Sequence, residues 1–254
     1  MREPQTILNP RYASLRPFLT ALPERFASGR LLHAGRNEIR AFTSDGQTVV
    51  VKRFARLHLL RRIIYSFFRT DKALRSYHNA MELLRRGVST PAPVGYVAVR
   101  HAGLIKSLFY ASTETKGIDV KSQLIEKEPW NEPLLQAYAA FVASLHEHGI
   151  LHRDLNPTNV LYECDSCGHY VFTLIDVNRM TFYDGPVPKD ACMENLTLFW
   201  WLTPVYRAVL DAYAARRGWT QADIDRAVRV KQRHDCRWVR RKRFTAFFKR
   251  KKKT

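Results

Sequence analysis

No apolar run in this sequence approaches the ~20 residues that a helix needs to cross a bilayer. The nearest candidate, Leu196 to Leu202, is far too short. Cysteine is scarce, with 4 in 254 residues, which excludes a disulfide scaffold and sets the expectation of a reducing, cytoplasmic setting. The opening MREPQTILNP holds an acid and two prolines and no apolar core, so no secretory signal is expected there. Gly/Ser linkers and internal repeats are absent. Acids are the other shortage: 23 Asp and Glu stand against 42 Lys and Arg, a net charge of +19. What is present is ordinary for a folded core, 46% hydrophobic and 12% aromatic, which excludes wholesale disorder and a collagen-like fibre. The length allows one large domain or two small lobes.

The positive charge is concentrated. Residues 226–254 carry 14 Lys and Arg against one acid, Asp235, and residues 52–75 carry 8 against one, Asp71. These two blocks exceed the whole excess, so the rest of the chain is close to neutral. Such a field favours a polyanionic partner: nucleic acid, an anionic membrane surface or a phosphorylated glycolipid. The plain alternative for the C-terminal block is a solubility tail.

Short strand-like runs occur at Arg30 to His33, Glu38 to Thr43 and Thr48 to Phe54, with Asp45-Gly46 as a hairpin turn between the last two. The first 29 residues, punctuated by proline, read as an extension wrapping a surface. Leu74, Tyr77, Met81 and Leu84 recur at helical spacing from about Asp71 to Arg86, and Gly87 ends that helix. Strand-like runs follow near Gly95 to Arg100 and Ile105 to Ser112. The second half is mainly helical. Asn131 caps a helix with Pro133 in its first turn, and its stripe of Leu134, Tyr138, Phe141 and Leu145 runs to Gly149. A loop, Leu151 to Asn159, leads into brief strands at Val160 to Tyr162 and Tyr170 to Ile175. A helix near Glu194 to Arg216 and a basic helix from about Gln221 follow. The expected domains are therefore an extension (1–29), a sheet-rich lobe (30–114), a helical lobe (115–225) and a basic aromatic tail (226–254).

The informative string is LHRDLNPTNVLY, residues 151–162, followed by LIDVN at 174–178. His152-Arg153-Asp154 and Asn159 match the H-R-D-x-x-x-x-N loop of protein kinases. At ordinary residue frequencies, four such positions arise by chance in about one chain in a thousand of this length. Phosphoryl transfer from ATP needs a carboxylate to orient the attacking hydroxyl and accept its proton, oxygen ligands for Mg²⁺, and a cation on the phosphates. Asp154 suits the first task. Asn159 and Asp176, each beside a strand, suit the second. Lys52, ending TVVVK, suits the third. Taken singly, an Asp or Asn near a helix end is usually a cap; the ordered set carries the signal.

With these residues the chain resembles the kinase-like fold, and within it the bacterial lipopolysaccharide core kinases that phosphorylate Kdo or heptose sugars of the inner core. The likeness covers roughly residues 30–215 and rests on VVVKRF, on RTDKALRSYHNAMELLRRGVSTPAPVGY and on HRDLNPTNVL. It implies an α+β, protein-kinase-like two-lobed fold: a small mixed β-sheet N-lobe with one helix, then a mainly helical C-lobe. It further implies Asp154 as base, Asn159 and Asp176 as Mg²⁺ ligands, Lys52 as the phosphate-binding lysine and Arg153 as a brace for the loop.

The chain departs from the kinase pattern in several places. There is no G-x-G-x-x-G; Gly35, with Arg36 beside it, is the candidate phosphate cover. Asp-Phe-Gly is replaced by Asp176-Val177-Asn178, where Asn178 is expected to take the left-handed backbone that glycine would. Glu82 is the candidate helix partner for Lys52, though the pair could also be absent. There is no Ala-Pro-Glu, and only Arg179 to Lys189 separate Asp176 from the next helix, which argues for a small-molecule or glycolipid acceptor over a protein. Asn156 stands where protein kinases have lysine.

Cys164, Cys167 and His169 resemble half a zinc site, but a hairpin turn explains them better, since tetrahedral zinc needs four ligands. His146 and His148 read as helix-end residues in favourable dipole contact. Phe199-Trp200-Trp201 reads as packing within the helical lobe. The C-terminal RWVRRKRFTAFFKRKKKT interleaves Trp238, Phe244, Phe247 and Phe248 with basic residues, a pattern suited to an anionic membrane. Arg61, Arg62 and Arg69 are candidate contacts to acidic sugars or lipid phosphates.

The expectation is an ATP- and Mg²⁺-dependent sugar kinase, cytoplasmic and peripheral on the inner membrane. Its acceptor would be a lipopolysaccharide precursor or another anionic glycolipid. A pseudokinase binding lipid or a partner, or a kinase with a protein or other small acceptor, are the alternatives. Specific nucleic-acid binding is not expected, because nothing resembles a base-reading module.

Overall fold

The structure, a computed structural model, describes residues 4–55 and 71–251, with side chains to Phe244. Arg61, Arg62 and Arg69 lie outside the described residues. The chain divides into two compact units. The first reaches Lys116 and takes back Thr173–Arg179; the second comprises Gly117–Phe172 and everything from Met180 on.

The first unit is a six-stranded sheet of β1 (Gln5–Leu8), β2 (Arg30–Ala34), β3 (Glu38–Ser44), β4 (Gln47–Arg53), β5 (Pro93–His101) and β6 (Leu104–Thr113), in the order β1-β5-β6-β4-β3-β2. Every neighbouring pair is antiparallel. The mixed sheet expected from sequence is thus corrected. β2–β3, β3–β4 and β5–β6 are hairpins, and a short return forces its two strands to run in opposite directions. Asp45 and Gly46 form the β3–β4 turn with φ of 51° and 70°, the paired left-handed conformation that matches strand twist.

The two faces of this sheet carry different helices. Val49 and Val51 of β4, Val97 of β5 and Phe109 of β6 pack with Leu15, Leu19, Leu22 and Phe26 from α1 (Arg16–Arg25) and the turns beside it. The alternate residues Tyr96, Ala98 and Leu108 pack with Ala73 and Tyr77 of α2 (Lys72–Arg85). Asp71 caps α2 by accepting the Leu74 N–H at 2.8 Å.

Residues 1–29 therefore supply β1 and α1, where an extension wrapped on a surface was expected. The prolines misled because Pro10 and Pro17 both sit in first turns, where a missing N–H breaks no bond. Gly95 marks the close fit of this segment. A Cβ there would lie 2.6 Å from the Ile7 carbonyl oxygen and 2.6 Å from Leu19.

The second unit is mainly helical. Its helices are α3 (Lys121–Leu124), α4 (Glu132–Glu147), α5 (Lys189–Leu196), α6 (Pro204–Arg216) and α7 (Gln221–Lys251). α4 starts at Asn131, whose side chain accepts the Leu134 N–H at 3.0 Å, and buries Leu134, Leu135, Tyr138, Val142 and Leu145. Burial of each such side chain contributes about 1.5–3 kcal/mol. Short strands β7 (Ile118–Asp119), β9 (Val160–Cys164) and β10 (Tyr170–Leu174) form one small sheet. β8 (Ile150–His152) and β11 (Met180–Phe182) form another.

Two expectations change here. The single helix near Glu194 to Arg216 is two helices with a break at 197–203. Pro204 opens α6 and forces Thr203 into extended backbone. The basic block is not a separate tail from residue 226. It continues α7, whose Ala227, Val228, Val230 and Lys231 are buried. Among the described residues no helix is long and apolar enough to cross a membrane.

Candidate active site

Strand alternation decides where Lys52 points. Val49 and Val51 face α1, so Lys52 faces the side that carries α2. There its Nζ meets Asp176 Oδ1 at 2.6 Å, with both side chains partly shielded from water. The adjacent Arg53 takes the opposite side and lies 4.6 Å from the Phe26 ring. Residues 124 apart in sequence thus form one ion pair in the first unit.

The segment bearing Asp176 is held by amides. Asn178, buried, donates from Nδ2 to the Asp176 carboxylate. Asn79 of α2 donates to the Val177 carbonyl at 2.7 Å, and Leu174 N–H donates to the Ser89 carbonyl at 2.9 Å. The left-handed residue is Asp176 itself, at φ 54°, and not Asn178 as expected. A non-glycine residue persists there only when its surroundings over-determine it, and Lys52, Asn178 and Asn79 supply that constraint. Asn79 escaped the sequence reading because an isolated Asn on a helix carries no motif.

Glu82 does not partner Lys52. Arg85 and Arg86, on its own helix, hold its carboxylate at 2.6 and 2.7 Å. Hydrogen bonds from Arg85 and then Arg86 push its pKa down to about 2. Lys52's carboxylate partner among the described residues is Asp176. Gly35 and Arg36 line a cavity of about 330 Å³ with Glu38, Arg53 and Lys106.

In the second unit, Asp154 follows β8. Its N–H donates to His152 Nδ1 at 3.1 Å. Its carbonyl accepts the Asn156 N–H at 2.8 Å and the Asn159 side-chain amide at 2.8 Å. Asn156 caps the short turn Pro157–Asn159 by accepting the Thr158 N–H at 3.0 Å. Arg153 donates to Thr181 Oγ1 of β11 at 2.6 Å, a bracing contact between the loop and the strand paired with β8. Asp154 and Asn159 are therefore fixed relative to each other through one carbonyl.

A buried polar chain underlies this loop. His146 Nδ1 lies 2.8 Å from the Tyr213 hydroxyl, and His146 Nε2 lies 3.0 Å from Asn195 Oδ1. Asn195 Nδ2 donates to the His152 carbonyl at 2.8 Å. That last bond fixes the amide orientation, so Nε2 of His146 is the donor and Nδ1 accepts from Tyr213. Burial pushes the His146 pKa down to about 4, partly opposed by the Asn195 bond, so the ring is neutral near pH 7. The dipole reading of His146 is corrected accordingly. His148 does sit at the helix end, its Nδ1 2.8 Å from the Ser144 carbonyl.

The turn after β9 brings Asp165, Cys167 and His169 together, their ligand atoms within 4.8 Å of one another. Asp165 there accepts the N–H groups of Cys167 at 2.9 Å and His169 at 2.8 Å, which is the hairpin-turn role expected.

The model of the lipopolysaccharide kinase (Kdo/WaaP) family matches residues 34–230. The chain belongs to that family. A 3-deoxy-D-manno-octulosonic acid kinase from Vibrio vulnificus (strain YJ016) is 27% identical over 125 residues, 46% of this chain. The chain spans about half the length of that curated relative, 51%. A solved structure, WaaP in complex with acyl carrier protein, is 20% identical over 97% of both chains with a TM-score of 0.52, which places the two in the same fold. The Kdo/WaaP match encloses Lys52, Asp154, Asn159 and Asp176, and stops short of most of α7.

Proposed function

We propose that this chain is an ATP-dependent kinase that phosphorylates a Kdo or heptose sugar of the lipopolysaccharide inner core. The observation that carries the reading is the Lys52–Asp176 pair at 2.6 Å. It joins two residues 124 positions apart that the motif reading gives to phosphate and metal. Family membership supports the sugar acceptor. The kinase-like two-lobed arrangement is part of this proposal, with the first unit as the nucleotide lobe and the second as the acceptor lobe.

Each residue then has a task. Lys52 holds a phosphate oxygen of ATP. Asp154 orients the sugar hydroxyl and takes its proton as the oxygen attacks the γ-phosphate. Arg153 and Asn156 keep the loop in shape. Gly35 and Arg36 are the proposed phosphate cover. The carboxylate of Asp176 and the amide oxygen of Asn159 are hard oxygen donors, the kind Mg²⁺ takes, so these two would hold the ion. When bound, Mg²⁺ neutralises charge on the transferring phosphoryl group.

A glycolipid acceptor places the work at the cytoplasmic face of the inner membrane. α7 would dock there, with exposed Trp238 and Phe244 among its cations and Lys242 over the Trp238 ring at 4.2 Å. Each cation near an anionic surface contributes about 1 kcal/mol.

The test is phosphate transfer from labelled ATP with Mg²⁺ to lipopolysaccharide precursor lacking core phosphate. Wild type should label the glycolipid. Asp154→Ala should lower kcat by about 10²–10⁴-fold, the range for a lost acid–base group, with its circular dichroism and Tm unchanged. Equal turnover by that variant would refute the assignment.

A further inference from the structure

The aromatic run set aside as packing does more than pack. Phe199 is buried against Tyr138, ring centroids 5.4 Å apart. Trp201 is not buried; it stands 38% exposed against Trp238 of α7, also 38% exposed. The two indoles meet edge to face at 4.7 Å. Between the α5–α6 loop and α7 lies a cavity of about 330 Å³, lined by these tryptophans and by Asp154.

Side-chain bonds from α7 tie the frame of this cavity. Lys231, only 2% exposed, donates from Nζ to the Thr197 carbonyl at 3.0 Å and to Asp235 Oδ1 at 2.7 Å. Asp235 Oδ2 accepts the Leu202 N–H at 3.3 Å. Buried Lys231 and half-buried Asp235 therefore tie both ends of the loop that carries Trp201 to α7.

We propose that this cavity is the acceptor-sugar subsite and that Trp201 and Trp238 bind the pyranose ring. The inference rests on the kinase reading above and adds the residues that choose the acceptor. A pyranose has apolar C–H faces and a rim of hydroxyls. It needs aromatic surface beside polar groups, and the cavity offers indoles beside His234, Asp235 and Asp154. Its volume lies within the roughly 300–1,000 Å³ of small-molecule sites. A sugar seated there has its hydroxyl rim in the same cavity as the proposed base. Trp238 lies on the basic helix, beyond the stretch shared with the family model.

Trp201→Ala and Trp238→Ala should each raise KM for the unphosphorylated lipopolysaccharide precursor at least tenfold. KM for ATP should stay within twofold, and Tm should not move, since both side chains are partly exposed. Trp238→Phe should recover most of the loss. In saturation-transfer NMR, free Kdo or heptose should give signals with wild type that both alanine variants lose, while decanoate gives none. Transfer with an unchanged acceptor KM in both variants overturns the subsite and leaves the kinase reading standing. Sugar signals lost in the variants, without any transfer by wild type, support the subsite and overturn the kinase reading. Signals from decanoate alone mark an acyl-chain pocket and overturn the sugar assignment.

Discussion

The two units hold their functional residues by opposite means. In the first, a charged pair, Lys52 and Asp176, is the main tie, and both partners keep some access to water. In the second, Asp154 stands over a chain of neutral groups, Tyr213, His146, Asn195 and the His152 carbonyl, with the histidines and Asn195 buried. A charged pair can be redirected to other charges, such as phosphate and metal, without leaving a group unsatisfied. A buried neutral chain has no such alternative, because losing one member strands its neighbours without water. The first arrangement suits groups that must change partners during a reaction. The second suits a carboxylate that must stay where it is.

That contrast can be broken from either side. The largest effect on turnover is expected from Lys52→Met, which should cut kcat/KM for ATP by at least 100-fold while Tm moves little, since a partly exposed pair contributes modestly to stability. A Tm loss as large as the activity loss would show the pair to be structural. Asn195→Ala should do the reverse in order of severity. It strands the His146 N–H and the His152 carbonyl, at about 1–3 kcal/mol each, so thermal melting should drop by several degrees before any kinetic change is assigned. An unchanged Tm would dismantle the neutral-chain account.

The third test is a pH titration of stability. His146 has a folded pKa near 4, below its ordinary 6.5. The unfolded chain therefore binds the proton first as pH falls. Stability from this residue is complete above about pH 6.5 and is lost toward pH 4, with a slope of up to about 1.4 kcal/mol per pH unit. His146→Gln should flatten that limb in denaturant titrations at pH 4.5–6.5; an identical slope would remove His146 as its source. The smallest effect is expected from Glu82→Gln. Its partners are exposed Arg85 and the half-buried cap residue Arg86, local contacts worth about 0–1 kcal/mol, and turnover should stay within twofold. A collapse of activity there would mean that Glu82 serves Lys52 after all.

Much of the site was legible because its chemistry is written locally. The H-R-D-x-x-x-x-N spacing puts Asp154 and Asn159 on one short loop, joined through one carbonyl, and TVVVK ends a strand whose alternation fixes the direction of its lysine. The parts that escaped notice depend on distant partners. Asn195 meets His152 43 residues away, and nothing in a single helix says so. Trp201 sits in an aromatic run of the kind that usually packs and Trp238 in a basic aromatic stretch, and their contact at 4.7 Å joins segments that one dimension keeps apart. Glu82 was a reasonable candidate as an acid on the right helix, yet arginines three and four residues on lie within closer reach. In the fold, β1 and α1 were hidden by prolines, two of which, Pro10 and Pro17, sit in first turns while Pro23 lies inside α1, and the break at 197–203 lay inside an apolar stretch whose period says nothing of Thr203's backbone.

The return of Thr173–Arg179 to the first unit sets an order of events at the ribosome. By the time Lys116 has emerged, the six strands of the first sheet have all been synthesised, but the carboxylate that answers Lys52 has not. Residues 117–172 must be made before it arrives. For that interval a nascent chain carries an unanswered cation on the face beside α2, and the backbone of residues 173–179 is still to be laid along Ser89 and Asn79. A nascent chain that has left the tunnel as far as residue 172 would therefore display the strands of the first sheet while Lys52 still lacks the carboxylate it meets at 2.6 Å in the folded chain.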